Sequence, residues 1–193
     1  MLRTSLAFCA TMLLLATLAQ AQEKKVDLNV GDPAPTFEAK DDTGATWKSA
    51  DHVGKKIVVV YFYPADCTGS CTKQAQGYRD DLKTLADKGV EVVGVSGDTV
   101  ENHKLFKKQQ NLNFNLLADV DGKVAQAFGV PMTVGAKEVT AKIDGKDEIL
   151  KRNVTTQRWT FVIGKDGKIL LKNNKVAAAE DSKAILKLIN GPK

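Results

Sequence analysis

Seven consecutive β-branched and aromatic residues, Ile57-Val58-Val59-Val60-Tyr61-Phe62-Tyr63, constrain the fold of this chain more than any other segment. A short apolar run without alternation reads as a strand covered on both faces, the situation at the centre of a parallel sheet. Pro64 ends it, because a proline nitrogen has no hydrogen to give to a sheet. Residues 90–95 read as a second buried strand of this kind. Elsewhere the apolar spacing turns helical. Ala75, Tyr78, Leu82, Leu85 and Ala86 mark a helix over 71–88, closed by Gly89. A second helix is predicted over 100–110, a short strand over 114–118 and a short helix over 123–128. Ahead of these, 37–47 reads as a hairpin turning at Asp42-Thr43-Gly44. After them, 158–163 and 168–172 pair around Lys165-Asp166-Gly167. A last helix, 177–189, carries Ala184, Ile185, Leu188 and Ile189 on its apolar face. Residues 131–153 alternate weakly and predict an irregular or β-rich excursion. The order of elements predicts one α/β domain over 22–193, a mixed sheet flanked by helices with an N-terminal β-hairpin.

Composition narrows the function classes. With 43% hydrophobic and 26% charged residues, the 193-residue chain is neither disordered nor a membrane bundle. A net charge of +5 is modest, and the basic residues run only to pairs such as Lys24-Lys25, Lys55-Lys56 and Lys107-Lys108. Nucleic-acid footprints are clustered, so these lysines read as a solvated surface and no nucleic-acid partner is expected. Three cysteines and two histidines are too few for a disulfide framework or a dedicated metal centre, and no metal or cofactor is expected. Arg3, the apolar run 6–18 and the exit Ala19-Gln20-Ala21 form a secretory signal pattern over 1–21. The run is too short to span a bilayer comfortably, so the expectation is a cleaved leader and an exported, periplasmic or secreted chain without a membrane anchor. Cleavage removes Cys9 and leaves Cys67 and Cys71, four residues apart. In an oxidising compartment such a pair is a bridge or a reactive site.

The segment from Tyr61 to Thr72 carries that pair. A buried strand delivers a loop whose last residues open a helix, which places Cys71 in or beside the first helical turn. Unpaired backbone N–H groups there favour an anion such as a thiolate. Thr68, three residues earlier, brings a hydroxyl to the same point. Taken alone, these residues fit equally well a small buried cysteine and a simple helix cap.

The pattern Pro64-x3-Thr68-x2-Cys71 after a strand resembles the active-site motif of the peroxiredoxins. The lead-in Gly31-Asp32-Pro33-Ala34-Pro35-Thr36-Phe37 is similar to that family's N-terminus. Val93-Gly94-Val95-Ser96-Gly97-Asp98, Glu101-Asn102-His103-Lys104, Leu117-Ala118-Asp119 and Phe128-Gly129-Val130 resemble the Q-type, bacterioferritin-comigratory-protein-like branch of the AhpC/TSA family. Arg158, ahead of Thr160-Phe161-Val162-Ile163, matches the family's active-site arginine. The resemblance implies a thioredoxin-like fold and a thiol peroxidase acting on hydrogen peroxide and organic hydroperoxides. Cys71 is then the peroxidatic cysteine, Thr68 the residue that holds the peroxide, Arg158 the stabiliser of negative charge and Pro64 a shield against water. It further implies a thioredoxin-like or other thiol reductant, and a monomer or weak dimer.

Two departures stand out. The resolving position five residues after Cys71 is Gln76, and Gly69 follows Thr68 where a proline is common. The spare thiol is Cys67. A Cys67–Cys71 bridge is within reach once the first helical turn unwinds, and a one-cysteine cycle with Cys67 structural is the other outcome. His103 reads as a helix-surface residue, His52 as a loop residue, and Tyr61, Phe62 and Tyr63 as core. Asn153-Val154-Thr155 fits a glycosylation sequon. Cys-x3-Cys also resembles the copper motif of Sco-type chaperones, but both histidines precede residue 104 and none lies near Arg158. A thioredoxin-like disulfide oxidoreductase prefers Cys-x2-Cys and a proline where this chain has Arg158-Trp159.

Overall fold

The computed structural model describes residues 26–191. The expected leader over 1–21 and Cys9 lie outside the described residues. The long apolar run forms β3 (Ile57–Phe62), an interior strand of a seven-stranded sheet. Its companions are β1 (Glu38–Asp41), β2 (Thr46–Lys48), β4 (Val90–Ser96), β5 (Asn115–Ala118), β8 (Trp159–Ile163) and β9 (Ile169–Asn173), in the order β2-β1-β5-β4-β3-β8-β9. β3, β4 and β5 are parallel, while β8, β9, β1 and β2 join antiparallel, which makes the sheet mixed as expected. β3 pairs on both sides, and its side chains alternate between two cores. Val58, Val60 and Phe62 point to one face; Val59 and Tyr61 point to the other.

Three helices, α1 (Gly69–Ala86), α2 (Val100–Gln110) and α4 (Asp181–Asn190), cover the second face through Ala75, Tyr78, Leu85, Phe106 and Ile185. The short α3 (Lys123–Ala127) covers the first with Val124 and Ala125, helped by Phe37, Trp47 and Phe128. The buried stripe of α4 differs from the predicted one. Asp181, Ser182 and Ile185 are buried, whereas Ala184 and Leu188 are exposed. The polar Ser182 occupies a position of the inward stripe because its hydroxyl donates to Asp81 of α1 at 2.7 Å, which rotates the helix away from the purely apolar solution.

Residues 131–153 resolve into a long antiparallel ribbon, β6 (Met132–Ile143) and β7 (Lys146–Thr156), outside the main sheet. Most of β6 is exposed on both faces, and a register shift interrupts the ribbon between Val134 and Lys137. A two-stranded ribbon is marginal alone. It is held by a small cluster of Ala141, Ile143 and Leu150 against Leu105 and Cys67. A second anchor is Gly97, where a Cβ would lie 2.2 Å from the Val154 carbonyl oxygen, so only glycine lets β7 pass this close. No helix among the described residues is long and apolar enough to cross a membrane.

Candidate active site

The loop between β3 and α1 lies at the carboxyl end of the parallel strands, where open α/β sheets place their ligands. Pro64 forms the half-buried bend that leaves the sheet. Thr68 is the extended N-cap residue of α1, and its carbonyl accepts the first helical bond from the Thr72 N–H at 2.8 Å. Its hydroxyl turns back to donate to the Ala65 carbonyl at 3.0 Å and does not cap the helix. Cys71 is the third residue of α1, with 2% of its surface exposed. The N–H groups of this first turn therefore have no side-chain acceptor.

Arg158 enters from the connection between β7 and β8. Its Nη2 lies 3.0 Å from Cys71 Sγ and 3.3 Å from Ser70 Oγ, and its Nη1 donates to Gln74 Oε1. A guanidinium aimed at sulfur is a donor aimed at an acceptor, and it stabilises negative charge there. Gln74 is itself buried, with its Nε2 donating to Asp181 Oδ2 at 2.8 Å.

The loop ahead of α1 is built around carboxylates. Asp66 is buried and accepts from Tyr63 OH at 2.8 Å, and the His103 ring lies 2.7 Å from its Oδ2. Asp98, also buried, accepts from the Asp66 backbone N–H at 2.9 Å, from Ser96 Oγ at 2.8 Å and from Asn102 Nδ2 at 3.2 Å. Burial, then the neighbouring Asp66 charge, pushes the Asp98 carboxyl above its usual range. For His103, burial pulls the imidazole down, but the charge and hydrogen bond of Asp66 outweigh it, and the net shift is upward. Its Nε2 is buried near the Leu117 carbonyl, outside hydrogen-bond geometry. The expectation of a surface His103 is thus corrected: the ring is fully buried, because only there does it meet Asp66. His52 is less exposed than a simple loop residue, stacking on Trp47 at 4.5 Å with its Nδ1 2.9 Å from Glu91.

Cys67 sits between these acids and the ribbon. Its backbone is left-handed (φ 56°), and its Sγ–H donates to Gln109 Oε1 at 3.4 Å. Burial, then Asp66 and Asp98, pushes the Cys67 thiol up to about 12. Cys67 and Cys71 are both free thiols. Gln76, at the vacant resolving position, donates to Gln110 Oε1 at 2.8 Å. Among the described residues no group of three or more His, Cys, Asp or Glu side chains could hold a metal. A Sco-like site would need a histidine beside the cysteines, and His103 is engaged by Asp66.

Residues 30–172 match the AhpC/TSA family. The chain belongs to that family. It is 37% identical over 149 residues to peroxiredoxin Bcp of Bacillus subtilis, covering 77% of this chain and 87% of the relative. It is also 37% identical over 163 residues to chloroplastic peroxiredoxin Q of Populus jackii, covering 84% and 68%. Among solved structures, the peroxidoxin BcpB of Mycobacterium tuberculosis aligns with a TM-score of 0.70 at 29% identity, over 85% of this chain and 97% of the other. The bacterioferritin comigratory protein of Xanthomonas campestris, described for its alkyl peroxide reduction, aligns with a TM-score of 0.64 at 26% identity, over 80% and 90%. The peroxiredoxin fold is thus thioredoxin-like, as the motifs imply. In this peroxiredoxin, Arg158 and Cys71 are in direct contact, with Thr68 at the N-cap of the same turn. Gln74, Asp181 and the Asp66–His103 pair escaped the sequence reading. Gln74 had a signal, since it lies one helical turn after Cys71 and so on the same face.

Proposed function

We propose that this peroxiredoxin, a thiol-dependent peroxidase by family, reduces hydrogen peroxide and organic hydroperoxides at Cys71. The observation that carries the reading is the Arg158 Nη2, 3.0 Å from a buried sulfur in the first turn of α1. The Cys71 thiolate attacks the outer oxygen of the peroxide, an S–O bond forms and the O–O bond breaks. The sulfur is oxidised to sulfenic acid, and the displaced oxygen takes a proton and leaves as water or an alcohol. Arg158 stabilises charge moving from sulfur to that leaving oxygen. The Thr68 hydroxyl exchanges its bond to Ala65 for one to the peroxide, and Pro64 keeps water from the sulfur. The alkyl peroxide reduction described for the Xanthomonas relative supports the wider substrate range. No cofactor is needed for this chemistry.

Cys67 completes the cycle when the first turn of α1 opens. Its sulfur attacks the sulfenic sulfur, water leaves, and a Cys67–Cys71 disulfide forms that a thioredoxin-like protein or a small thiol reduces. Unwinding releases Cys67 from the left-handed region and from burial beside two carboxylates, so its thiol ionises more readily for the attack, which favours the bridge. The leader pattern over 1–21 supports export to a periplasmic or extracellular compartment, where such a bridge persists. A monomer or weak dimer suffices, because both thiols lie four residues apart in one chain.

Cys71→Ser is expected to abolish peroxide turnover, and Cys67→Ser to leave the first oxidation intact while removing the disulfide. Intact mass after one equivalent of hydrogen peroxide, with a sulfenic-acid trap present, reads both. Full peroxide turnover by Cys71→Ser overturns the site, and a two-hydrogen loss persisting in Cys67→Ser overturns the bridge.

A further inference from the structure

Arg158 is braced only if Gln74 shows it an oxygen. A glutamine amide has a carbonyl at one end and two N–H donors at the other. Flipped, it would aim donors at the guanidinium, which has donors only. Gln74 is 1% exposed, so water is not there to soften the wrong choice.

Asp181 makes the choice. It is the first residue of α4, is 2% exposed, and reaches α1 and β8 at once. Three donors converge on its Oδ2: Gln74 Nε2 at 2.8 Å, Tyr78 OH at 2.7 Å and Thr160 Oγ1 at 2.7 Å. Burial and the Asp181 charge hold the Tyr78 phenol well above its ordinary range, so its proton remains on the ring oxygen as a donor. A carboxylate accepts and does not donate, so the Gln74 NH2 must face it and the carbonyl must face Arg158. Three links then run to the sulfur: Asp181 to Gln74, Gln74 to Arg158 Nη1, and Arg158 Nη2 to Cys71 Sγ.

We propose that Asp181 is a positioning residue for the peroxide chemistry, setting the Gln74 amide and through it the approach of Arg158 to Cys71. The proposal rests on the assignment of Cys71 as the reacting thiol. The plain alternative is a tie that merely fastens α4 to α1 and β8. Tyr78 and Thr160 share that tie but lie off the path to Cys71, so the two roles separate experimentally.

The measurement is the rate of Cys71 alkylation by iodoacetamide and of Cys71 oxidation by hydrogen peroxide, each read on the Cys71 peptide by mass, on the full chain. Asp181→Leu removes the acceptor that orders the Gln74 amide, and both rates are expected to fall about tenfold, the cost of one misdirected hydrogen bond. Tyr78→Phe removes a donor from the same oxygen and lowers the melting temperature, with both rates staying within about twofold. Gln74→Glu alone sets two carboxylates against each other and lowers both rates. Combined with Asp181→Asn, the polarity reverses: the amide introduced at position 181 donates to the carboxylate introduced at position 74, which accepts from Arg158, and the rates recover. Unchanged rates in Asp181→Leu, an equal fall in Tyr78→Phe, or a double variant no faster than Gln74→Glu would each overturn the proposal. The double variant decides even if Asp181→Leu alone does not fold. Alkylation reports positioning without any peroxide, and Cys71→Ser reports the peroxidase assignment, so the two readings fail separately.

Discussion

At one end of the segment 67–71, in the loop that leads into α1, Cys67 lies beside two buried carboxylates, Asp66 and Asp98; at the other, in the first turn of α1, Cys71 lies under the Arg158 guanidinium. The thiols are four residues apart, and both pack against the same core. What differs is the sign of the charge that each part of the fold brings. Cys71 receives the open N–H groups of a helix start and a cation from the β7–β8 connection, whereas Cys67 faces acids fixed by β4, α2 and the loop itself. Sequence distance therefore says little about which sulfur is the nucleophile. On the proposed function, this arrangement leaves Cys71 for peroxide and keeps Cys67 protonated until the segment opens. Cys67→Ser and Cys71→Ser divide the two roles; three further substitutions test their electrostatic origin.

The largest effect is expected from Arg158→Met, which keeps the length of the side chain and removes the cation. Oxidation of Cys71 by hydrogen peroxide should slow by about a hundredfold or more, the usual cost of losing a donor aimed at transition-state charge. Rapid-mixing kinetics on the reduced protein measures it. A loss of less than about threefold would mean that the helix start alone activates Cys71, and the contrast between the two ends would rest on Cys67 only.

Asp98→Asn addresses the opposite end. The amide can still accept from the Asp66 N–H and Ser96, but it removes one of the two charges holding the Cys67 thiol up at about 12. Alkylation at Cys67 at mildly alkaline pH should rise several-fold to about tenfold, with the Cys71 rate unmoved. An unchanged Cys67 rate would assign its reluctance to burial, the largest of the three causes, and leave the carboxylates only a structural part.

Most of the sheet is legible in the sequence because β3, β4 and β8 are covered on both faces and carry the matching apolar runs. The ribbon β6–β7 is not, for the converse reason. Over most of its length neither face is buried, so no apolar period is written into it; only Ala141, Ile143, Leu150 and Val154 report an inside. The site divides the same way. Pro64, Thr68 and Cys71 form a local motif, and Arg158 precedes an unmistakable strand. Asp66 and His103 are 37 residues apart, and Gln74 and Asp181 are 107 apart. Each looks ordinary in its own neighbourhood: His103 lies between polar Asn102 and Lys104, and Asp181 has the look of an acid favoured at any helix start. Pairings of this kind are made by the topology, and local patterns do not carry them.

The smallest effect, on stability, concerns the buried cation at the Cys67 end. The folded chain holds the His103 proton more tightly than the unfolded chain does, because Asp66 outweighs burial. Its contribution to stability is therefore complete below the ordinary imidazole value of about 6.5 and is lost as pH rises through the higher folded value. In that window stability should fall with pH by at most about 1.4 kcal/mol per unit. The raised Asp98 carboxyl has the same sign, but its window opens near a pH of about 3.9, so the two do not overlap at their onset. His103→Asn keeps an N–H donor for Asp66 and cannot titrate, so urea unfolding under reducing conditions should lose the decline above about pH 6.5. A decline that persists in the variant would place its source elsewhere. The same variant leaves Asp66 without the imidazole that contacts it and Asp98 without a neighbouring positive charge, so Cys67 alkylation should slow further while Cys71 stays as it was. The reactivities of the two thiols would then move apart under a substitution that touches neither sulfur, which is the behaviour expected if charge placement separates them.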